Sequence, residues 1–315
     1  LGTCQDDGTI RITHTKNFAT EGEPNEVLRH LEQSLAQLLE DSDAKALGAI
    51  GISCGGPLDS KRGLILSPPN LPLWDNVDVV TPLKRRFGVA VGLQNDANAC
   101  ALAEWQWGAG KGCQNIVFLT FGTGMGAGLI LNGQLYAGTN DLAGEVGHVR
   151  LRDAGPMGYG KQGSFEGFCS GGGIARLAQE RVAKHLAQGQ TTLICTDLAA
   201  LESITAQTVG VAAQKGDPLA LEIYRIVGDA LGQGLSMLVD LLNPERIIIG
   251  SIYLRQQSLL EPIVLGKLQE EALPQALAVC DIVPAGLGES AGDYAGLSVA
   301  LWTWRKREGQ LTFPI

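Results

Sequence analysis

A glycine-rich segment in the middle of the chain restricts the fold most. Residues 120–128 read Thr-Phe-Gly-Thr-Gly-Met-Gly-Ala-Gly, between apolar runs at residues 116–121 and 129–131. This pattern predicts a strand, a glycine turn and a second strand. Backbone N–H groups in such a turn can approach an anion closely, and Thr123 adds a hydroxyl. A dinucleotide fingerprint needs a helix directly after its glycines, so a phosphate-binding hairpin is favoured, with an unliganded hairpin as the alternative.

Elsewhere, strand-like and helix-like segments alternate. Leucines at helical spacing follow Pro24, and an alanine-rich helix is predicted from Asn95-Asp96 to about Trp107. The other predicted helices begin at Ser170 and cover about residues 217–242, and the other predicted strands are residues 46–53, 89–93 and 246–249. This order predicts an α/β protein with a domain change near residues 105–115.

Composition limits the classes of partner. The 315 residues are 45% hydrophobic and 18% charged, which is typical of a soluble globular protein of up to two domains. Lys and Arg number 24 against 33 Asp and Glu, giving a net charge of -9 without a basic cluster. An acidic surface repels a phosphate backbone, and no apolar run approaches the ~20 residues that span a bilayer. We therefore expect neither nucleic acid nor a membrane as a partner.

The cysteines indicate a reducing compartment. All seven are scattered along the chain, without a Cys-x-x-Cys pair. That arrangement resembles neither a disulfide framework nor a zinc knuckle. The sequence therefore predicts reduced thiols in a cytoplasmic protein.

Asn95-Asp96 stands where a strand is predicted to end and a helix to begin. Open α/β sheets bind ligands at this position, and a carboxylate there can act as a general base. Asn and Asp are also preferred helix caps. From this segment alone, catalysis and capping both remain open for Asp96.

A third group of polar residues suits the hydroxyls of a sugar. Glu145 and Glu166 are hydrogen-bond acceptors, and His148 can donate or accept. A site that pairs with each hydroxyl rejects sugars that leave its groups unpaired. A glycosidase acid/base pair and a purely structural histidine remain alternatives.

Taken together and in this order, the segments resemble the ROK family of sugar kinases and repressors, from about Gly8 to Ala300. The resemblance rests on residues 55–59 (Gly-Gly-Pro-Leu-Asp), 69–74 (Pro-Asn-Leu-Pro-Leu-Trp), 95–98 (Asn-Asp-Ala-Asn), the glycine hairpin, 145–148, 165–166 and 287–292. It implies the two-domain α/β fold of actin and hexokinase (ribonuclease H-like), with a cleft between the domains. The smaller domain would hold residues 1–105 and a C-terminal helix at about 293–315, and the larger one residues 106–292.

The resemblance also implies an activity, namely phosphorylation of a hexose or hexose derivative by ATP with Mg²⁺. Asp96 would be the catalytic base. The sugar-binding set it implies is Gly56, Asn70, Asn95, Glu145, His148 and Glu166, and the nucleotide-binding set is Gly122, Thr123, Gly124 and Gly250. Family members are often homodimers or homotetramers, so one of these states is expected.

Two departures from the family pattern carry expectations of their own. Zinc-bearing members have Cys-x-Cys-Gly-x-x-Gly-Cys where residues 157–164 read Met-Gly-Tyr-Gly-Lys-Gln-Gly-Ser. Zinc needs about four N or S ligands, so no zinc is expected. Packing of Tyr159 and Phe165 should then hold the loop and leave His148 for the sugar. Family kinases also open with an Asp-x-Gly-Gly-Thr loop, which we expect to lie before Leu1.

Several alternatives remain open at this point. Repressors of the family carry a DNA-binding domain before the sugar domain, and a sugar-binding protein without catalysis is a further possibility. Neither the sugar (glucose, mannose, fructose, allose or N-acetylmannosamine) nor the donor (ATP or polyphosphate) follows from the sequence.

Overall fold

The computed structural model describes residues 1–5, 9–42 and 46–309. Gly8, where the resemblance begins, and the last six residues of the expected C-terminal helix lie outside the described residues. The strands β1 to β14 are, in chain order, Gly2–Cys4, Ile10–Ile12, Ala49–Cys54, Leu58–Asp59, Leu64–Leu66, Asp75–Asp78, Ala90–Asn95, Ile116–Phe121, Met125–Leu131, Gln134–Leu135, Met157–Gly158, Lys161–Gln162, Arg246–Ile249 and Asp281–Pro284. The helices α1 to α11 are Pro24–Glu40, Val80–Phe87, Asp96–Trp107, Phe165–Phe168, Gly171–Ala187, Ala206–Gln214, Pro218–Leu242, Ile252–Arg255, Gln257–Glu271, Pro274–Leu277 and Ala291–Arg307.

The chain forms two compact units. The first contains residues 1–112, residues 128–143 and the chain from Glu289 onward, and the second contains residues 113–127 and 144–288. The domain limits drawn from the sequence differ from these units at residues 106–112, 128–143 and 289–292, which they assigned to the second domain and which belong to the first unit. Each unit therefore combines separate stretches of the chain. The order of predicted elements along the sequence does not reveal such an exchange.

In the first unit, β3 and β7 run parallel with Cys54 opposite Asn95. Helices α3 and α11 pack against these strands. The contact is so close at Gly51 that a Cβ there would lie 2.0 Å from the carbonyl oxygen of Gly296, so only glycine fits without a backbone shift. Because the strands are parallel and in register, their carboxyl ends lie together and present Gly55 and Asp96 at one edge.

The remaining strands of the first unit form small antiparallel sheets. Strands β4, β5 and β6 make one sheet, and β1 and β2 make a hairpin. A core that includes Val27, Leu93 and Trp74 joins α1, β7 and the loop before β6. A cavity of about 970 Å³ is lined by the β1–β2 hairpin, the start of β3 and Trp304 of α11. Among the described strands, only β7 pairs with β3.

The second unit is built on the parallel strands β8, β13 and β14, with Arg246 opposite both Ile116 and Asp281. Strand β9 follows β8 in the strand order and continues into the first unit, where its last residues pair with β10. The long helix α7 buries most of its residues and packs against α5, α6 and α9. The carboxyl ends of β8 and β13 lead into the glycine turn and into Gly250.

Most of the predicted elements are present with small shifts in their ends, and strands 116–121 and 246–249 were predicted to the residue. One expectation was wrong, because the glycine turn ends at Gly124 and β9 already begins at Met125. Gly128 is therefore a strand residue. A Cβ there would lie 2.3 Å from the carbonyl oxygen of Ala97, so glycine is required by packing against α3 rather than by a turn.

None of the helices in the described part of the chain combines the length and apolar character needed to cross a bilayer.

Candidate active site

Asp96 is the first residue of α3 and follows β7 directly. The helix is capped by its neighbour, since Oδ1 of Asn95 accepts a hydrogen bond of 2.7 Å from the N–H of Asn98. Asp96 is accessible to solvent on one side and partly buried on the other, and its Oδ1 accepts from the N–H of Ala97 at 2.9 Å. The ambiguity left by the sequence is thereby resolved as far as capping is concerned, because Asn95 supplies the cap and the Asp96 carboxylate remains accessible.

The surroundings of Asp96 make its carboxylate a better proton acceptor than an ordinary one. Partial burial raises the pKa of Asp96, against the smaller opposite effect of hydrogen bonds from the N–H groups of Ala97 and Asp96 itself. It forms no ion pair within the residues that the structure describes. A raised pKa with no compensating cation is the environment that suits a general base.

The loop after β3 lies at the same edge of the sheet. A Cβ at Gly55 would lie 3.5 Å from Oδ1 of Asn70, so the exposed amide of Asn70 stands beside this turn. At Gly56 a Cβ would meet nothing within 4 Å. Trp74, at the other end of the Asn70 loop, is buried and anchors it. The first unit thus gathers four of the predicted residues, Gly56, Asn70, Asn95 and Asp96, around the ends of β3 and β7.

Two polar residues of the first unit were not assigned a role from the sequence. Asn98 is buried and donates through Nδ2 to Gln94, while its Oδ1 has no partner among the described residues. Asp141, at a φ of 62°, accepts hydrogen bonds from the N–H and hydroxyl of Ser60 at 2.8 and 2.7 Å. Asp141 thereby anchors the segment that leads to Gly144. Asx residues at turns are common, so no sequence signal distinguished this one.

In the second unit, most N–H groups of the glycine-rich segment from Gly122 to Gly126 already have acceptors. Gly122 donates to the carbonyl of Gly124 at 3.1 Å, and Gly126 donates to the hydroxyl of Thr120 at 3.0 Å. Met125 donates to the Glu166 carboxylate. Within the described chain, the N–H groups of Thr123 and Gly124 donate to no acceptor. These two donors, rather than the whole glycine run, are what the turn offers to a phosphate.

Gly250 and the start of α5 support this turn. Gly250 follows β13 and donates to the carbonyl of Leu119 at 3.0 Å, and Gly171 donates to the carbonyl of Gly122 at 2.7 Å. The hydroxyl of Ser251, a residue at a φ of 53°, would lie 3.5 Å from a Cβ on Gly122. The predicted nucleotide residues Gly122 and Gly250 are thus neighbours. Gly171 was missed, because a glycine that begins a helix has no signature of its own.

The predicted sugar-binding residues of the second unit pack around the exit of the same turn. Oε2 of Glu166 accepts from the N–H of Met125 at 3.1 Å. A Cβ at Gly147 would lie 2.3 Å from the carbonyl oxygen of Met125 and 3.2 Å from Cβ of Glu166. Gly147 belongs to the 3₁₀ turn Val146–His148, which Glu145 precedes with an exposed side chain. Glu145, His148 and Glu166 are therefore brought to one side of the glycine turn.

The loop that lacks the zinc cysteines is held by hydrogen bonds and packing. The N–H of Arg152 donates to the carbonyl of Gly163 in the loop at 3.1 Å. The Arg152 guanidinium donates to Asp229 of α7 and lies 5.1 Å from the centre of the Phe168 ring. Phe165 is 1% exposed and packs against Gly234 of α7, as the expected packing role requires. Tyr159 is instead 66% exposed. In the described part of the chain, no three His, Cys, Asp or Glu side chains are grouped so that they could hold a metal.

We expect the purified protein to keep its fold and activity when zinc is withheld. A structural zinc would contribute to folding, so its removal would lower the melting temperature. The measurement is a thermal melt with and without a zinc-selective chelator, together with elemental analysis. Stoichiometric zinc, or a melting temperature that falls on chelation, would contradict the expectation.

Cys100, one turn along α3 from Asp96, should be a poor nucleophile. Burial, followed by the negative charges of Asp96 and Glu104, raises the pKa of Cys100 to about 12. At pH 8 only about 10⁻⁴ of such a thiol is ionised. Alkylation of Cys100 in the native protein should thus be far slower than that of exposed Cys4. Its rate should rise about tenfold per pH unit from pH 7 to 9. The rate should also be higher in Asp96→Asn, which lacks one of the negative charges. Peptide mass spectrometry measures this, and equal rates for the two thiols would contradict it.

Known proteins resemble this chain in sequence and in fold. A model of the ROK family matches residues 3–303. A glucokinase of Thermotoga maritima is 32% identical over 300 residues, which cover 95% of this chain and 92% of the relative. The structure of a ROK family glucokinase from Streptomyces griseus in complex with glucose and AMPPNP is similar with a TM-score of 0.75, at 27% identity and 95% coverage of both chains. A ROK family transcriptional regulator, a homolog of the E. coli MLC protein, gives a TM-score of 0.80 at 26% identity, covering 97% of this chain and 74% of that one.

Proposed function

The chain belongs to the ROK family, and on that basis we propose that it transfers the γ-phosphoryl group of ATP to a hexose or hexose derivative. The observation that carries the proposal is the accessible carboxylate of Asp96, with its raised pKa, at the carboxyl end of β7. The two-domain α/β fold of the actin and hexokinase type is common to this chain and the solved ROK glucokinase.

In this mechanism Asp96 accepts the proton of the attacking hydroxyl. The new bond forms between the hydroxyl oxygen and the γ-phosphorus, the bond from that phosphorus to its bridging oxygen breaks, and ADP leaves with the electron pair. The N–H groups of Thr123 and Gly124 supply two hydrogen bonds to phosphate oxygens. Mg²⁺, bound chiefly through the phosphates and water, would neutralise part of the charge on the nucleotide.

Six polar or glycine residues are proposed to line the sugar site. Gly56, Asn70 and Asn95 belong to the first unit, while Glu145, His148 and Glu166 belong to the second. Carboxylate and amide acceptors match the donors of vicinal hydroxyls, and an unmatched group on either side costs affinity. The hydroxyl that receives the phosphoryl group is proposed to be the primary hydroxyl of the hexose. For the nucleotide, Gly122 would shape the phosphate-binding turn, and Gly250 is proposed to lie beside the adenosine end.

A sugar-responsive regulator without catalysis is the second candidate, since the transcriptional regulator is as similar in structure as the glucokinase. The accessible general base favours the kinase, because binding alone does not need one. We further propose that the protein acts in the cytoplasm and that it is a homodimer or homotetramer. Light scattering on the purified protein would test the oligomeric state.

The deciding experiment is a coupled ADP-release assay with glucose, mannose, fructose, allose and N-acetylmannosamine, using ATP and, separately, polyphosphate as donor. We expect ATP turnover that depends on one of these sugars. Asp96→Asn, purified in the same way, is the matched control. Sugar-dependent thermal stabilisation without ADP release would support the regulator instead.

A further inference from the structure

The tip of the β11–β12 hairpin carries an unusual residue. Its two central residues, Tyr159 and Gly160, have φ angles of 42° and 76°, as in the tight turns that favour Asn and Gly. A tyrosine at positive φ is an outlier. The turn alone would favour Asn or Gly at this position, which suggests that the tyrosine is there because of its side chain.

The hairpin is held in place at several points. Nε of Arg176 donates to the carbonyl of Met157 at 2.9 Å, and Arg150 donates to the carbonyl of Gln162 at 2.7 Å. A Cβ at Gly158 would lie 2.4 Å from the backbone nitrogen of Gly167, so the hairpin lies directly on α4, the helix that contains Glu166. The tip is therefore fixed relative to the predicted sugar-binding residues of the second unit.

Two hairpin residues contact His148. The rings of Tyr159 and His148 meet edge to face, with centres 4.9 Å apart and planes at 81°, a favourable arrangement for aromatic pairs. Nζ of Lys161 donates to the carbonyl of His148 at 2.7 Å. The Tyr159 ring is 66% exposed, in contrast to the buried Phe165 ring. Tyr159 therefore adds little to the core, and its ring lies against the imidazole of His148.

We propose that Tyr159 is a positioning residue that orients the His148 imidazole toward the hydroxyls of the hexose. This inference rests on the proposed function and deepens it, since it assigns part of the sugar selectivity to the hairpin. A histidine whose ring is held in one orientation presents a defined donor and acceptor, which lowers the entropy lost when the sugar binds. Lys161 fixes the backbone of the same residue, so ring and main chain are both held.

The test is a double-mutant cycle on sugar affinity. Calorimetry without ATP and steady-state kinetics are carried out on the full chain, on Tyr159→Ala, His148→Ala and the double variant, and on Tyr159→Phe. Tyr159→Ala should weaken the affinity for the preferred hexose and raise its KM by roughly three- to tenfold, as when one neutral hydrogen bond is weakened, with kcat and the KM for ATP nearly unchanged. Tyr159→Phe keeps the ring and should behave as wild type.

The cycle separates positioning from direct contact. If Tyr159 acts through His148, the double variant should bind no more weakly than His148→Ala. Additive losses, or a loss in Tyr159→Phe equal to that in Tyr159→Ala, would overturn the inference, as would an unchanged Tyr159→Ala. Tyr136→Ala is the matched control, because Tyr136 is also largely exposed, at 52%. A wild-type protein that binds no hexose would reject the proposed function and this inference together, whereas normal binding by Tyr159→Ala rejects the inference alone.

Discussion

Asp96→Asn should lower kcat by roughly 10²–10⁴-fold, or about 3–5 kcal/mol in activation free energy. Asparagine has nearly the same shape and its oxygen can still accept from the N–H of Ala97, but it cannot take up the proton of the attacking hydroxyl. Sugar affinity should be largely kept. The measurement is kcat from ADP release, with calorimetry for the sugar. A variant with near-full turnover would remove Asp96 from the mechanism.

The same substitution should make the protein more stable at neutral pH. Partial burial raises the pKa of Asp96 in the folded state, so the folded state binds its proton more tightly than the unfolded state does. The stability that this carboxyl contributes is therefore present at low pH and is lost as the pH rises through the folded-state pKa. At pH 7 the charged form opposes folding, and asparagine removes that cost.

Thermal melts at pH 4 and pH 7 test the sign of this effect. We expect Asp96→Asn to melt at a higher temperature than wild type at pH 7, with the difference shrinking toward pH 4. For the active enzyme, the acidic limb of kcat/KM should lie above the pH expected of an ordinary carboxyl. A lower melting temperature for Asp96→Asn at pH 7 would show that the carboxylate is stabilised rather than strained by its surroundings.

Gly144→Ala should have the largest effect on the sugar-binding side of the second unit. Gly144 has a φ of 91°, and a Cβ there would lie 2.0 Å from the carbonyl oxygen of Ala127. Its own carbonyl accepts from the N–H of Ala127 at 2.7 Å. Left-handed strain and a backbone clash together should cost about 2–4 kcal/mol of stability, and the turn that carries Glu145 and His148 must shift.

Such a shift should weaken sugar binding more than nucleotide binding. A displacement of about 1 Å in a binding group can cost up to roughly 10²-fold in kcat/KM. Denaturant melts give the stability, and the KM values for sugar and ATP give the selectivity of the effect. The matched control is Gly266→Ala in α9, where a Cβ would meet nothing within 4 Å and alanine should stabilise the helix by up to about 1 kcal/mol. Equal melting behaviour of the two variants would contradict the packing argument.

Local pattern was sufficient for most of the elements. The helix from Asp96 to Trp107 and the strands on either side of Gly122 follow from apolar periodicity and turn residues, and both are local properties of the chain. The extent of the glycine turn was not predictable in this way. Gly126 and Gly128 look like turn residues in one dimension, whereas Gly128 is required by helix α3, a partner about 30 residues earlier in the chain.

The sequence by itself determined the fold class, the family and the chemical types of the candidate site residues, because these depend on residue identity and order along the chain. Tertiary structure decided which groups are available for chemistry. Asn95 rather than Asp96 caps α3, two N–H groups remain at the glycine turn, and Tyr159 lies against His148. These outcomes depend on hydrogen-bond partners and packing contacts between residues distant in sequence, and no local pattern records such contacts.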